Sequence, residues 1–253
     1  MRISVSRSLL VAIAAVVSLH ANAAVQNVDV GMQLPRFALL KEGTHRYLRY
    51  VKSGDANTPN DIWTRTVRFE ERDGKKLLHI YQRWDGSGPT PGTLLLDSWF
   101  DTGTFRPHTH QRIREKDGKR VVEGFVFAPD RITGMKDLAD NTQKDLDVAS
   151  SEPTYNFETD MEFLQTLPLA EGYEARINFY HPGGGPPARY TFKVAGSETI
   201  AGPAGPVDCW VVTTDYNRPD GTLSKFWFAK GSQLMLRQEG VWNGKVLVKT
   251  LIE

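Results

Sequence analysis

Three tight-turn signals constrain this chain more than any other feature. Asp73-Gly74 lies between the extended runs 61–72 and 76–84, Asp117-Gly118 between 104–115 and 120–128, and Asn243-Gly244 between 234–241 and 245–252. The runs are rich in β-branched and aromatic residues. Asp-Gly or Asn-Gly between two such runs is the strongest short-range hairpin signal, because a two-residue turn needs positive φ at both central positions. A fourth turn, Pro219-Asp220-Gly221, joins 207–216 to 223–229. Consecutive hairpins pair strands antiparallel and need no crossover helix. The expected fold is all-β and mainly antiparallel, a curved, half-barrel or clam-like sheet.

One segment has a different period. Thr159 followed by Glu162 has capping-box spacing, Met161, Phe163, Leu164 and Leu167 are placed as on a helix, and Pro168 stops it. One short helix is expected near 157–166. The polar stretch 136–153 before it reads as a solvated loop crossing between two sheet halves of one β domain, 24–253.

Strand alternation carries the next inference. In 207–216, Cys209 and Val211 share one face while Trp210, Val212 and Tyr216 share the other; in 93–100, Leu94, Leu96 and Phe100 oppose Leu95 and Trp99. Strands apolar on both faces need cover on both. A second sheet, the helix or a bound apolar ligand would supply it. Trp63, Trp84, Trp99, Trp210 and Trp227 all fall in or at the end of expected strands. Core packing explains them, and a tryptophan-lined cavity is the sharper alternative, with Trp99, Trp210 and Trp227 as candidate ligand-binding residues.

The N-terminus gives an address. Arg2 and Arg7 precede eleven residues of apolar character, Leu9 to Leu19, and Ala21-Asn22-Ala23 is the small-x-small pattern a signal peptidase cuts. Residues 1–23 are therefore expected to be a signal peptide, with the mature chain starting at Ala24 in the periplasm. Eleven residues are too few to cross a bilayer as a helix, so no transmembrane anchor is expected, and no cysteine near the cut offers a lipid attachment point. Removing 23 of 253 residues leaves 230, and because the removed segment holds two arginines and no acid the formal charge falls from +1 to −1. A near-neutral mixed surface gives no electrostatic case for nucleic acid. Cys209 is the single cysteine, which precludes an intramolecular disulfide.

The sequence carries few signs of catalytic chemistry. His108 and His110 are two apart on an expected strand and point to one side, a spacing that can serve a metal with Asp97 or Asp101 from the neighbouring strand. The flanking Arg106, Gln111, Arg112 and Arg114 favour a solvated cationic stretch instead. The glycine-rich 181–187 lacks the Lys-Ser/Thr and following helix of a phosphate loop and reads as a hairpin tip between 173–180 and 188–194. There is no Gly-x-Ser-x-Gly, Ser-x-x-Lys or His-Glu-x-x-His. Cys209, among apolar strand neighbours, reads as a small hydrophobe rather than a thiolate. No catalytic residue, metal or cofactor is assigned.

The C-terminal half carries a further signal. Thr166-Leu167-Pro168-Leu169 with Gly172, then 194–200, Gly205-Pro206-Val207-Asp208-Cys209-Trp210 and Phe226-Trp227-Phe228 resemble an exported bacterial family catalogued only as a domain of unknown function. The likeness runs from about residue 90 to the end and is clearest from 160 onward. That family has no assigned catalytic residues. Its members are similar in architecture to periplasmic lipoprotein carriers, whose curved antiparallel sheet wraps a helix and shelters lipid chains; this chain differs from them in lacking a long amphipathic helix. Three functions follow as expectations. The first is binding of an apolar or amphiphilic small molecule, a lipid, or an envelope protein partner in the concavity of the sheet. The others are an envelope hydrolase whose carboxylates converge only in three dimensions, and a structural or assembly-factor domain without a small ligand.

Overall fold

The computed structural model describes residues 25–87 and 91–253, so the expected cut before Ala24 lies outside the described residues. Sixteen strands form one sheet. In chain order they are β1 (Gln26–Val28), β2 (Gly43–Ser53), β3 (Ala56–Arg72), β4 (Lys75–Gly86), β5 (Gly92–Asp101), β6 (Pro107–Lys116), β7 (Lys119–Phe127) and β8 (Arg131–Gly134). Then come β9 (Asp147–Ala149), β10 (Tyr155–Asn156), β11 (Glu174–Tyr180), β12 (Ala188–Gly202), β13 (Gly205–Thr214), β14 (Ser224–Ala229), β15 (Met235–Trp242) and β16 (Lys245–Leu251). Strands adjacent in sequence from β2 to β9 and from β11 to β16 pair antiparallel, as hairpins require; only β1 and β10 lie parallel, both on β11.

The expected turns form as their chemistry dictates. Asp73 and Gly74 adopt φ of 53° and 74°, and Asn243 and Gly244 adopt 49° and 72°. Both central residues are left-handed, where glycine has no Cβ to clash and Asp or Asn is tolerated.

The last strand, β16, pairs antiparallel with β2, the first long one, in a register that sets Lys249 opposite Arg49 and Val248 opposite Tyr50. This pairing joins two runs of hairpins into one surface. The sheet stays open and curls, so that its two flanks face each other across an interior.

That interior is plugged by the short helix. A single 3-10 turn (Phe157–Thr159) leads into α1 (Asp160–Gln165), all six of whose residues are buried. Phe163 meets Phe105 from one flank at 5.5 Å between ring centroids and Phe179 from the other at 5.5 Å, and Tyr155 lies at 4.2 Å. Leu78, Ile80 and Phe100 on one side and Ile177, Phe192 and Phe226 on the other complete this core. The cap differs from the capping-box expectation. Asn156 Oδ1 accepts from the Glu158 N–H, Thr159 Oγ1 donates to the Asn156 carbonyl, and the Glu162 carboxylate is drawn to an arginine on the sheet. A buried guanidinium competes for that carboxylate more strongly than a helix-end N–H does.

A second, smaller cluster holds Cys209, Val211, Trp227, Ala229 and Leu236, the opposite face of β13–β15, with Ile200 and Val207 packed on it. Of the two strands expected to be apolar on both faces, β13 is covered on both, whereas on β5 the face carrying Leu95 and Trp99 is half-buried and joins neither cluster.

Candidate functional site

Alternation along β3 directs Trp63, Arg65 and Val67 to the concave face, and along β4 it does the same for Leu78, Ile80, Gln82 and Trp84. Trp63 and Trp84 are directly opposed across the two strands, and their rings stack at 3.7 Å with planes 7° apart. Together with Phe157, Tyr216, Val241 and Leu247 they wall a cleft of about 510 Å³ beside the helix. Lys249, Arg65, Asp160 and Glu158 also line it.

The helix is fastened to this wall by polar groups. Arg65 Nε donates to Glu162 Oε1 at 2.7 Å and Nη2 to Oε2 at 2.5 Å, while Nη1 donates to Gln82 Oε1 at 2.6 Å. The carbonyl of Glu158 accepts from Arg65 Nη2 at 3.1 Å and from Gln82 Nε2 at 2.8 Å, and Trp84 Nε1 donates to Gln82 Oε1 at 3.1 Å. Every member is buried or half-buried, so the hydrogen bonds hold the helix in one position rather than adding much net stability.

Next to this network sits a cation without an acid. Lys249 is 8% exposed. Its Nζ lies 3.7 Å from the Trp63 ring centroid and 3.5 Å from Met161 Sδ, and no carboxylate oxygen among the described residues comes within 4.0 Å. Burial pushes its pKa down to about 7. The carboxyl of Asp160, which lines the same cleft, has its pKa pushed up, again chiefly by burial. Arg49, opposite Lys249 on the neighbouring strand, is neutralised by a two-point pair with Asp61 and lies over Trp63 at 4.8 Å.

A hydrogen-bonded chain runs away from the cleft. Ser98 Oγ and His110 Nδ1 are 2.8 Å apart, His110 Nε2 and Glu158 Oε2 are 2.8 Å apart, and Arg112 Nη1 donates to Glu158 Oε1 at 2.8 Å. Burial works to raise the Glu158 pKa, but His110 and Arg112 outweigh it and hold the carboxyl below its ordinary value. Serine, imidazole and carboxylate in sequence are the groups of a nucleophilic triad. Here Ser98 and His110 are both fully buried, and of the three only Glu158 lines the cleft. A carbonyl substrate therefore has no path to the hydroxyl in this conformation.

A family model for proteins of unknown function, DUF3108, matches residues 47–249. The chain belongs to the DUF3108 family. The match begins at Tyr47 and ends at Lys249, so this DUF3108 segment contains β3–β15, both cleft tryptophans and the buried lysine. In fold it is similar to a β-barrel-like protein of domain of unknown function DUF1849 from Brucella abortus, at a TM-score of 0.55 and 11% identity over 85% of this chain and 98% of that one. No curated protein matches the sequence.

The residues singled out from the sequence of this DUF3108 protein fall in several places. Trp99, Trp210 and Trp227 do not line the cleft. Trp99 stacks on His79 at 4.1 Å and donates to Asp97 Oδ1; Trp210 packs against the main core with Lys230 over its ring; Trp227 sits in the smaller cluster and donates to Glu198 Oε2. The histidine pair separates. His108 is half-exposed and bonded to Asp101 at 2.7 Å, as a solvated residue would be, but His110 is fully buried, which corrects the expectation that both are solvated. The reason is a bulge in the β5–β6 pairing: Trp99 faces Thr109 and Phe100 faces Pro107, so His108 is the extra, unpaired residue, while His110 stays in register opposite Ser98 where Glu158 can reach it. Among the described residues no group of three His, Cys, Asp or Glu side chains could hold a metal. Cys209 is buried with its thiol pushed up to about 11 by burial, as expected of an inert cysteine. Arg65 and Lys249 were missed. Their signal in sequence is a charge at an inward position of an otherwise apolar strand face, next to Trp63 and Val67 in one case and Leu247 and Leu251 in the other.

Proposed function

We propose that this protein binds an amphiphilic ligand in the concavity of its curved sheet. The observation that carries the reading is the cleft, whose 510 Å³ lies within the range of about 300–1,000 Å³ usual for small-molecule sites. Its aromatic and aliphatic walls suit an apolar body, and the few convergent polar groups at its floor suit a head. No helix among the described residues is long and apolar enough to cross a membrane.

The hydrolase reading has one observation in its favour, the Ser98–His110–Glu158 chain. It lacks a reachable nucleophile, and the open space of the fold lies on the far side of Glu158. Binding therefore stands as the better reading, and export to the periplasm is part of the proposal.

Native mass spectrometry of protein purified from its own envelope tests it, together with titration of an environment-sensitive apolar dye. A retained amphiphile, or dye binding displaced by one, is the expected result. A chain that retains nothing and binds no dye overturns the reading in favour of an assembly factor or a partner for an envelope protein. N-terminal sequencing should begin at Ala24 in the soluble exported fraction; Met1, or recovery only with integral membranes, would overturn the exported address.

A further inference from the structure

We infer that the cleft selects amphiphiles whose head is an anion, held by Lys249 and Arg218, with the apolar body against Trp63, Trp84 and Tyr216; this assignment rests on the binding reading above. Five cationic side chains line the cleft against two carboxylates, Glu158 and Asp160. Three of the five are already neutralised by carboxylates: Arg49 by Asp61, Arg65 by Glu162, and Arg112 by Glu123 and Glu158. Lys249 and Arg218 remain.

Neither has an acidic partner within 4.0 Å among the described residues. Lys249 is buried against the Trp63 face and the Met161 sulfur, contacts that replace little of the hydration an ammonium loses. Arg218 is held by neutral acceptors, donating to the Val241 carbonyl at 2.9 Å and to Ser224 Oγ at 3.1 Å, which fix its fork without cancelling its charge. Both line the same open space, so an anion entering it completes two incomplete sites.

The charged groups around Lys249 support this. Asp160 and Glu162 face it from α1, Arg65 from β3 and Arg49 from β2. Glu162 is taken up by Arg65. Asp160 is pushed towards its neutral form by burial, which lessens its repulsion of an incoming anion. Burial also leaves Lys249 poised near neutral pH, and an anion in contact favours its charged form.

The test uses delipidated full-length mature protein and three ligands of equal chain length: dodecanoate, dodecyl phosphate and dodecanol. Binding is read by calorimetry and by tryptophan fluorescence. In the wild type at least one anionic ligand should bind about tenfold or more tightly than the alcohol, the worth of one charge-assisted hydrogen bond. Comparing the carboxylate with the phosphate then tells a fatty-acid head from a phosphate head. Lys249→Met should abolish the difference while leaving dodecanol binding in place, and Lys249→Arg should restore it. Should Lys249→Met fail to fold, Arg218→Gln and the salt dependence of the wild-type preference provide the same test. Equal binding of all three ligands by the wild type overturns the head-group assignment and leaves the binding reading standing. Binding of none overturns both.

Discussion

Arg65 and Glu162 form a two-point ion pair between sheet and helix, with Nε–Oε1 at 2.7 Å and Nη2–Oε2 at 2.5 Å, inside a wall of which the arginine is 2% exposed. The pair ties β3 to α1 beside the cleft, which Arg65 and the helix residue Asp160 line. Its role is positional, because the cost of dehydrating both charges offsets most of their attraction.

Breaking that pair from one side should be severe. Arg65→Met or Glu162→Gln alone leaves a buried charge or donor set uncompensated and is expected to cost about 3–5 kcal/mol in urea unfolding. The double variant Arg65→Met with Glu162→Leu should recover much of the loss. Two mild single variants would show that the helix is held by apolar packing alone.

The tryptophans divide by position. Trp227 is 6% exposed within the smaller cluster. Trp227→Ala is expected to cost about 3–5 kcal/mol, as for any large core truncation, without weakening dye binding. Trp84, half-buried at the cleft, should lose less stability and more binding. Denaturant unfolding and dye titration on the same two variants separate these outcomes.

Lys249 predicts a pH dependence with a definite sign. Its folded pKa, about 7, lies below the ordinary 10.5, so between these values the unfolded chain binds a proton that the native chain does not. Stability then rises with pH through that window, and below it the full cost of burying the charge applies. Lys249→Met should be more stable than the wild type at pH 7, with the gap closing as pH approaches 10.5. A gap that is flat or widens over this window contradicts the assignment of a destabilised ammonium.

Ser98 should behave as a structural hydroxyl. Ser98→Ala leaves the buried His110 Nδ1 without its partner and is expected to cost about 1–3 kcal/mol. A fluorophosphonate probe, read by intact mass, should leave the native protein unlabelled. Stoichiometric modification of Ser98 would revive the hydrolase reading.

Much of the architecture is legible in local chemistry. Asp73-Gly74, Asp117-Gly118 and Asn243-Gly244 turn where positive φ is required, and the 3-10 turn and helix over 157–165 end before Pro168. These are decisions taken within a few residues, by sterics and by the missing proline N–H, and they hold wherever the segment sits. The apolar residues on both faces of β13 likewise announce its cover on both sides. The identity of the cover is not written in any one strand.

By itself, then, the sequence determined the antiparallel hairpins, the place of the helix and the inertness of Cys209. Tertiary structure decided the rest. The β2–β16 pairing sets Lys249 beside Arg49 across more than the length of most domains in sequence, and it depends on register between strands that share no local signal. The curl of the sheet made Trp63 and Trp84, rather than Trp99, Trp210 and Trp227, the cleft walls, and the β5–β6 register with the buried helix set His110 against Ser98 and Glu158. A strand records which of its residues share a face, but which face becomes concave depends on how the whole sheet curls around one buried helix.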